Sequence, residues 1–247
     1  MSGHSHWATI KHQKGIKDAR KGALFSKLAR ALMVSSREGG ENPDFNIGLS
    51  KLISEAKQAG MLIDRIENAI LKGAGKLEGQ SIESKNYEGK GPGGSMIIVE
   101  TMTDNFNRTT MELRILFERT HGAMLGPGAA MNQFDRKGFI LVDAAGTDEN
   151  KLTDAVIEAG GDDCQKAEGS FEITTTFEKF LGVLKALTQA KFKITSSDTP
   201  YIPKYDNYIP LNDEDAKKLL RLLEVLDEHD DVQKTHHNAK IPEALLK

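Results

Sequence analysis

The run KGFILVDAAGTDENKLTDAVIEAGGDDCQKAEGSFEITTTFEKFLGVLKALTQAKFKITS, residues 137–196, decides the fold. KGFILVDA reads as a buried strand because its apolar residues stand together in a short run. Leu152 and Val156 then recur at a four-residue step, the spacing of one helix face. A short piece near Cys164 leads into FEITTT, where apolar and polar residues alternate as on a half-buried strand. Phe177, Phe180, Leu181 and Leu184 mark a second helix, and KFKITS a last strand. The order is β-α-β-β-α-β, that of the ferredoxin-like fold, and it assigns residues 136–198 to one such module.

The segments on either side are each too small to bury a core of their own. Upstream, MIIVETMT (Met96 to Thr103) reads as a buried strand. Asn105 to Thr120 carries Leu113, Leu116 and Phe117 at helical spacing, and Met131 to Phe134 is a further strand candidate. Downstream come YIPKYDNYIPL, a helix with Ala216, Leu219, Leu220, Leu223 and Leu226 on one side, and the strand DVQKTHHNA. Residues 81–135 and 199–247 are therefore expected to form one discontinuous α/β domain, with the ferredoxin-like module inserted.

Residues 22–80 read differently, as an all-α domain of three helices. In the first, Leu24, Phe25, Leu28, Leu32 and Ser35 share one side, while Lys27, Arg30 and Arg37 fall nearly opposite at about 100° per residue. Gly39-Gly40 stops that helix and Asn42-Pro43-Asp44 starts the next, which carries Leu49, Leu52, Ile53 and Ala56 and ends near Gly60. Asp64 followed by Glu67 resembles a capping box for a third helix, with Ile66, Ala69 and Ile70, ending at Gly73. The polar, Gly-rich GAGKLEGQS closes the domain.

Charge is segregated along the chain. Through Arg37 there are eight cations, Lys11, Lys14, Lys17, Arg20, Lys21, Lys27, Arg30 and Arg37, against Asp18 alone, a balance of +7; the whole chain is −3, so the remainder carries −10. An ordinary solvated helix mixes signs to gain i,i+4 pairs, and this end does not. His4, His6, Trp7 and His12 are interleaved with the cations, which suits stacking on bases beside phosphate contacts. Residues 1–21, with few apolar positions, are expected to be a basic arm that orders on an anionic partner. Nucleic acid fits better than an anionic membrane, because residues 8–20 lack the bulky apolar face of an interfacial helix. The acidic α/β part would keep the protein from coating nucleic acid indiscriminately, or contact a protein partner.

TDNFNRT, Thr103 to Thr109, lies between a strand and a helix. Its polar residues suit helix capping, and Asn105, Asn107 and Arg108 form the candidate second anion contact. Gly91-Pro92-Gly93-Gly94 lacks the ending of a P-loop and precedes a strand, so it reads as a tight turn. No nucleophile–base motif appears, and neither DEHDD nor His236-His237 gives metal-ligand spacing. No catalysis, metal or cofactor is therefore expected. Cys164 is the single cysteine, no apolar run approaches the ~20 residues of a membrane span, and no secretory signal is visible. The cytosol is the expected compartment.

GHSHWATIKHQK at residues 3–14, DARKGALFSKL at 18–28, YEG and GPGG at 87–94, TDNFNRT, FDRKG at 134–138 and the closing DDVQKTHHN resemble the YebC/PmpR family of probable transcriptional regulators. That resemblance implies an all-α domain followed by an α/β domain with a ferredoxin-like insert. It also implies two functions: DNA-binding regulation of promoters, and, as in the mitochondrial translational activator of cytochrome oxidase, action on translation at the ribosome. The expectation is a non-enzymatic nucleic-acid-binding regulator, DNA-binding first. The alternative is a ribosome-associated translation factor whose basic arm contacts ribosomal RNA.

Overall fold

The computed structural model describes residues 21–78, 81–167 and 169–245, which fall into two compact units. One holds residues 134–204. Of the described residues, the other holds those from Lys21 to Gln133 together with those from Tyr205 onward.

The second of these begins with three helices: α1 (Lys21–Gly39), α2 (Ile47–Gln58) and α3 (Ile63–Gly73). Leu28 and Leu32 of α1 pack against Leu49 and Ala56 of α2, Met61, and Ile66 and Ala69 of α3, as the apolar spacing requires. Gly40 is left-handed (φ 85°) and ends α1. Asn46, not Asn42, caps α2: its Oδ1 accepts from Leu49 N at 2.9 Å, and its Nδ2 donates to the carbonyls of Ser35 and Gly40, both at 2.8 Å. Asn42 instead closes a turn onto Asp44 N at 3.0 Å. The expected capping box at Asp64 is not formed, because α3 starts two residues earlier, with Leu62 at the N-cap and no side-chain cap bond.

The α/β part of this unit is a four-stranded antiparallel sheet, β1 (Glu83–Lys90), β2 (Met96–Thr103), β3 (Ala123–Leu125) and β10 (Val232–His237), in the order β10-β2-β1-β3. Helices α4 (Phe106–Arg119) and α7 (Asp213–Glu228) build the core with Leu113, Phe117, Ala216, Leu219, Leu222 and Leu226 against Tyr87, Ile97, Val99 and Val232. β1 and β2 are joined through the tight turn read at GPGG, with Gly93 (φ 65°) and Gly94 (φ 80°) left-handed. Met131–Gln133 is one turn of 3-10 helix, and the strand expected there begins only at Phe134.

The remaining unit contains β4 (Phe134–Asp143), α5 (Glu149–Glu158), β5 (Asp163–Ala167), β6 (Ser170–Thr176), α6 (Phe177–Gln189) and β7 (Ile194–Asp198). The strand order β5-β6-β4-β7, antiparallel throughout, is ferredoxin-like. β8 (Tyr201–Pro203) pairs with the first residues of β4. Ile140, Val142, Phe171 and Ile173 on the sheet, with Leu152, Val156, Phe180, Val183 and Leu187 on the helices, are among its buried apolar residues. Two short strands, β9 (Ile209–Pro210) and β11 (Ala239–Lys240), pair in parallel in the other unit.

Candidate nucleic-acid interface

Of the cations and aromatic groups expected to contact nucleic acid, His4, His6, Trp7, Lys11, His12, Lys14, Lys17 and Arg20 lie outside the described residues. Lys21 opens α1. Lys27, Arg30 and Arg37 follow on that helix, and the structure gives the first two a different employer from the expected phosphates. Lys27 Nζ donates to the Asp227 carbonyl at 2.7 Å and meets its carboxylate at 3.2 Å. Arg30 donates to the Asp230 carbonyl and lies 3.2 Å from Asp231 Oδ1. Their side chains keep only 14 % and 22 % of their surface. Arg37 is more open, donating to Ser81 Oγ at 3.2 Å with Glu38 at 4.0 Å.

Asp231, buried to 1 %, is the centre of this arrangement. Its Oδ2 accepts from Arg108 Nη2 at 2.9 Å and from the buried Thr109 hydroxyl at 2.7 Å. Burial pushes its carboxyl up, but the bonds from Arg108, Thr109 and Thr103 and the charge of Arg30 outweigh that and hold it below the usual carboxylate range. The same bond to Asp231 raises the Arg108 guanidinium.

TDNFNRT folds around this carboxylate. Asn105 caps α4, its Oδ1 accepting from Arg108 N at 3.0 Å. Thr103 Oγ1 accepts from Asn105 N at 2.9 Å and lies 2.8 Å from Thr109 Oγ1. Arg108 also reaches Asp104 at 3.0 Å and Glu112 at 3.8 Å. The segment thus performs the capping read from its sequence, and Arg108, named as an anion contact, is held by three carboxylates. Asn107 is exposed.

Beside Asp231 a cleft of about 640 Å³ is lined by Arg30, Arg108, Arg119, Glu112 and His229 among others. Ligand atoms of Glu112, His229 and Asp231 lie within 4.8 Å of one another there. The backbone N–H of Asp231 donates to His229 Nδ1 at 3.1 Å, so neutral His229 carries its proton on Nε2, 2.9 Å from Glu112. With the Arg108 guanidinium at hydrogen-bond distance from Asp231, the trio is part of one hydrogen-bonded network.

Sequence reasoning did not single out Glu88 of the YEG motif. Buried to 6 %, it accepts from the backbone N–H groups of Gly128 (2.6 Å), Ala130 (2.6 Å) and Met131 (2.8 Å). Burial alone would raise its carboxyl; the three donors hold it below its ordinary value. Its neighbours in the motif are equally structural. Tyr87 is a core residue whose hydroxyl lies 3.0 Å from Thr110 Oγ1, and a Cβ at Gly89 would collide with the Phe117 ring.

Among the described residues, the three helices offer no ready base-reading element. α2 and α3 are joined by a four-residue turn containing Gly60, as in a helix-turn-helix. Yet α3 opens on the exposed apolar Leu62 and Ile63, with Asp64 offset by the neighbouring Arg65, so its first turn shows no cluster of cations or amides for reading bases.

Residues 5–76 match the family model described as "TACO1/YebC protein N-terminal domain", and residues 82–239 that of the "TACO1/YebC second and third domain". A "Probable transcriptional regulatory protein" of Dictyoglomus turgidum is 42 % identical, the match covering 100 % of this chain and 98 % of that one. One of the same description from Shewanella oneidensis is 43 % identical, with 100 % and 98 % covered. The crystal structure of a conserved hypothetical protein from Aquifex aeolicus superposes with a TM-score of 0.82 at 41 % identity, covering 98 % of this chain and 100 % of that one.

Proposed function

Because the chain belongs to the TACO1/YebC family, whose curated relatives carry the name of probable transcriptional regulators, we propose that it is a non-enzymatic, cytosolic regulator that binds DNA through its basic amino end. The observation that carries this reading is the segregation of charge: eight cations against one acid up to Arg37, in a chain of net −3. A polyanion is the partner that such an end attracts, and its counterions are released on binding. Lys27 and Arg30 are engaged by Asp227, Asp230 and Asp231, so the phosphate contacts fall to Lys11, Lys14, Lys17, Arg20, Lys21 and Arg37, with His4, His6, Trp7 and His12 among them. Arg108 serves the Asp231 network and Asn105 its helix cap, which leaves them a supporting place.

A second reading, a ribosome-associated translation factor that contacts ribosomal RNA, is favoured by the apolar, charge-balanced opening of α3, which offers no reading helix. Phosphate contacts position a protein without specifying a sequence, and a basic arm without a reading helix suits folded RNA at least as well as a promoter. Chromatin immunoprecipitation and ribosome sedimentation of one tagged strain separate the two. Enrichment at discrete promoters with no ribosomal fraction supports the first reading. Salt-sensitive recovery with ribosomes, resistant to DNase and lost on removing residues 1–20, replaces it with the second.

A further inference from the structure

The function proposed above uses nothing from residues 134–204, yet FDRKG opens this unit and its Arg136 has a distinctive setting. Arg136 stands directly across from Tyr201 in the β4–β8 pairing, and Lys137 pairs with Thr176, the residue just before Phe177. Two sheet contacts and a helix start therefore bring three planar side chains together. The guanidinium lies 4.0 Å from the centroid of the Phe177 ring and 5.3 Å from that of Tyr201. Its edge is directed to Thr199, with Nε 3.5 Å from the carbonyl and Nη2 3.5 Å from Oγ1. Hydrogen bonding by the edge leaves the faces of a guanidinium to stack.

The stack ends at the surface. Phe177 keeps 39 % of its area exposed, and Leu181, one turn further along α6, keeps 45 %. Phe180 on the same helix is buried to 4 %, so α6 has an inward position for a phenyl ring and Phe177 is not on it. Aromatic rings and arginine planes are the two side-chain surfaces on which unpaired bases stack. A duplex hides those base faces; a single strand offers them.

We infer that the Arg136–Phe177–Tyr201 stack is a contact for the bases of single-stranded RNA, separate from the basic amino end. The inference rests on the nucleic-acid reading above and adds to it a site that distinguishes single strands from duplexes. Phe177 supplies the exposed platform, and Arg136, positioned by Thr199 and Tyr201, supports it from behind.

The test is fluorescence anisotropy of the full chain with a labelled oligouridylate of about 12 nucleotides, and with duplex DNA of the same length. Loss of one stacked base predicts that Phe177→Ala binds the single strand about tenfold more weakly, that Phe177→Trp restores binding, and that duplex affinity stays unchanged. Wild-type protein should bind an abasic oligomer at least as weakly as Phe177→Ala binds oligouridylate. A merely structural ring gives a different result: Phe177→Ala lowers the melting temperature and binds RNA like wild type, which overturns the inference. Equal losses on RNA and duplex overturn it too. If Lys11, Lys14 and Lys17→Glu removes all binding while Phe177→Ala removes none, this inference fails and the amino-end reading stands. If wild-type protein binds neither ligand, both fall.

Discussion

Replacing Asp231 with Ala should strongly destabilise the unit that contains it. The carboxylate is buried to 1 % and accepts from Arg108 and the fully buried Thr109, with Arg30 at 3.2 Å. Breaking a buried pair costs about 3–5 kcal/mol. The lower end applies here, about 3 kcal/mol, because the arginines it abandons keep 42 % and 22 % of their side-chain surface and regain water. For a unit of this size that lowers the melting temperature by about 6–12 °C. Arg108→Ala should cost less, since Asp231 would retain Thr109 and Arg30. The pH dependence has a definite sign. Asp231 titrates lower in the native state than when unfolded, so its contribution is full above the unfolded value of about 3.9 and is lost as the pH falls through the native one. Urea unfolding followed by circular dichroism from pH 7 downward should show a constant gap between wild type and Asp231→Ala that closes only below about pH 4. A gap under about 1 kcal/mol, the level of an exposed ion pair, or an Arg108→Ala as damaging as Asp231→Ala, would refute the assignment of Asp231 as the hub.

Glu88→Gln should weaken the hold on residues 128–131, because an amide has one oxygen for the three N–H donors that the carboxylate now satisfies. A cost of about 1.5–3 kcal/mol would appear as faster amide exchange at Gly128, Ala130 and Met131; unchanged exchange there would argue against the clamp. Glu88 is also held below its ordinary value, so the stability it adds is lost as the pH falls through that lowered value, and the glutamine variant should lack that loss. Gly89→Ala drives a methyl into Phe117; overpacking costs about 1–3 kcal/mol in urea titration, and Phe117→Leu should recover part of it. Asn46→Ala removes the α2 cap and two bonds to carbonyls and should cost about 2 kcal/mol, the upper end for a cap.

Periodicity made the ferredoxin-like unit and the three helices legible, because each buries one regular face: Leu28 and Leu32, or Phe171 and Ile173, stand where their spacing puts them. β1 escaped, and its sequence explains why. ESKNYEGK pairs with β3 only over Glu88 to Lys90, so its first half is an exposed edge with nothing apolar to show. β3 and β8 are three residues each, too short for any period. Capping was legible where the cap is local, as at Asn105, and was misplaced at Asp64, where the hydrophobic contacts of Met61 and Ile66 set the start of the helix instead. The charge run was legible as charge but not as geometry. Nothing near Lys27 or Arg30 in sequence announces acids about 200 residues away, and only the fold brings Asp227 and Asp231 to them. Likewise TDNFNRT and DDVQKTHHN stand far apart in the chain and meet at one carboxylate.

The salt dependence of binding tests the central claim, that the amino end is the nucleic-acid contact. Affinity for duplex DNA is measured across a salt series for the wild-type chain and for the triple variant Lys11, Lys14 and Lys17→Glu. Each phosphate contact contributes about 0.9 to the slope of log affinity against log salt, so the variant should bind more weakly with a slope shallower by about three. An identical slope in the two proteins would contradict the account and move the contact away from the amino end.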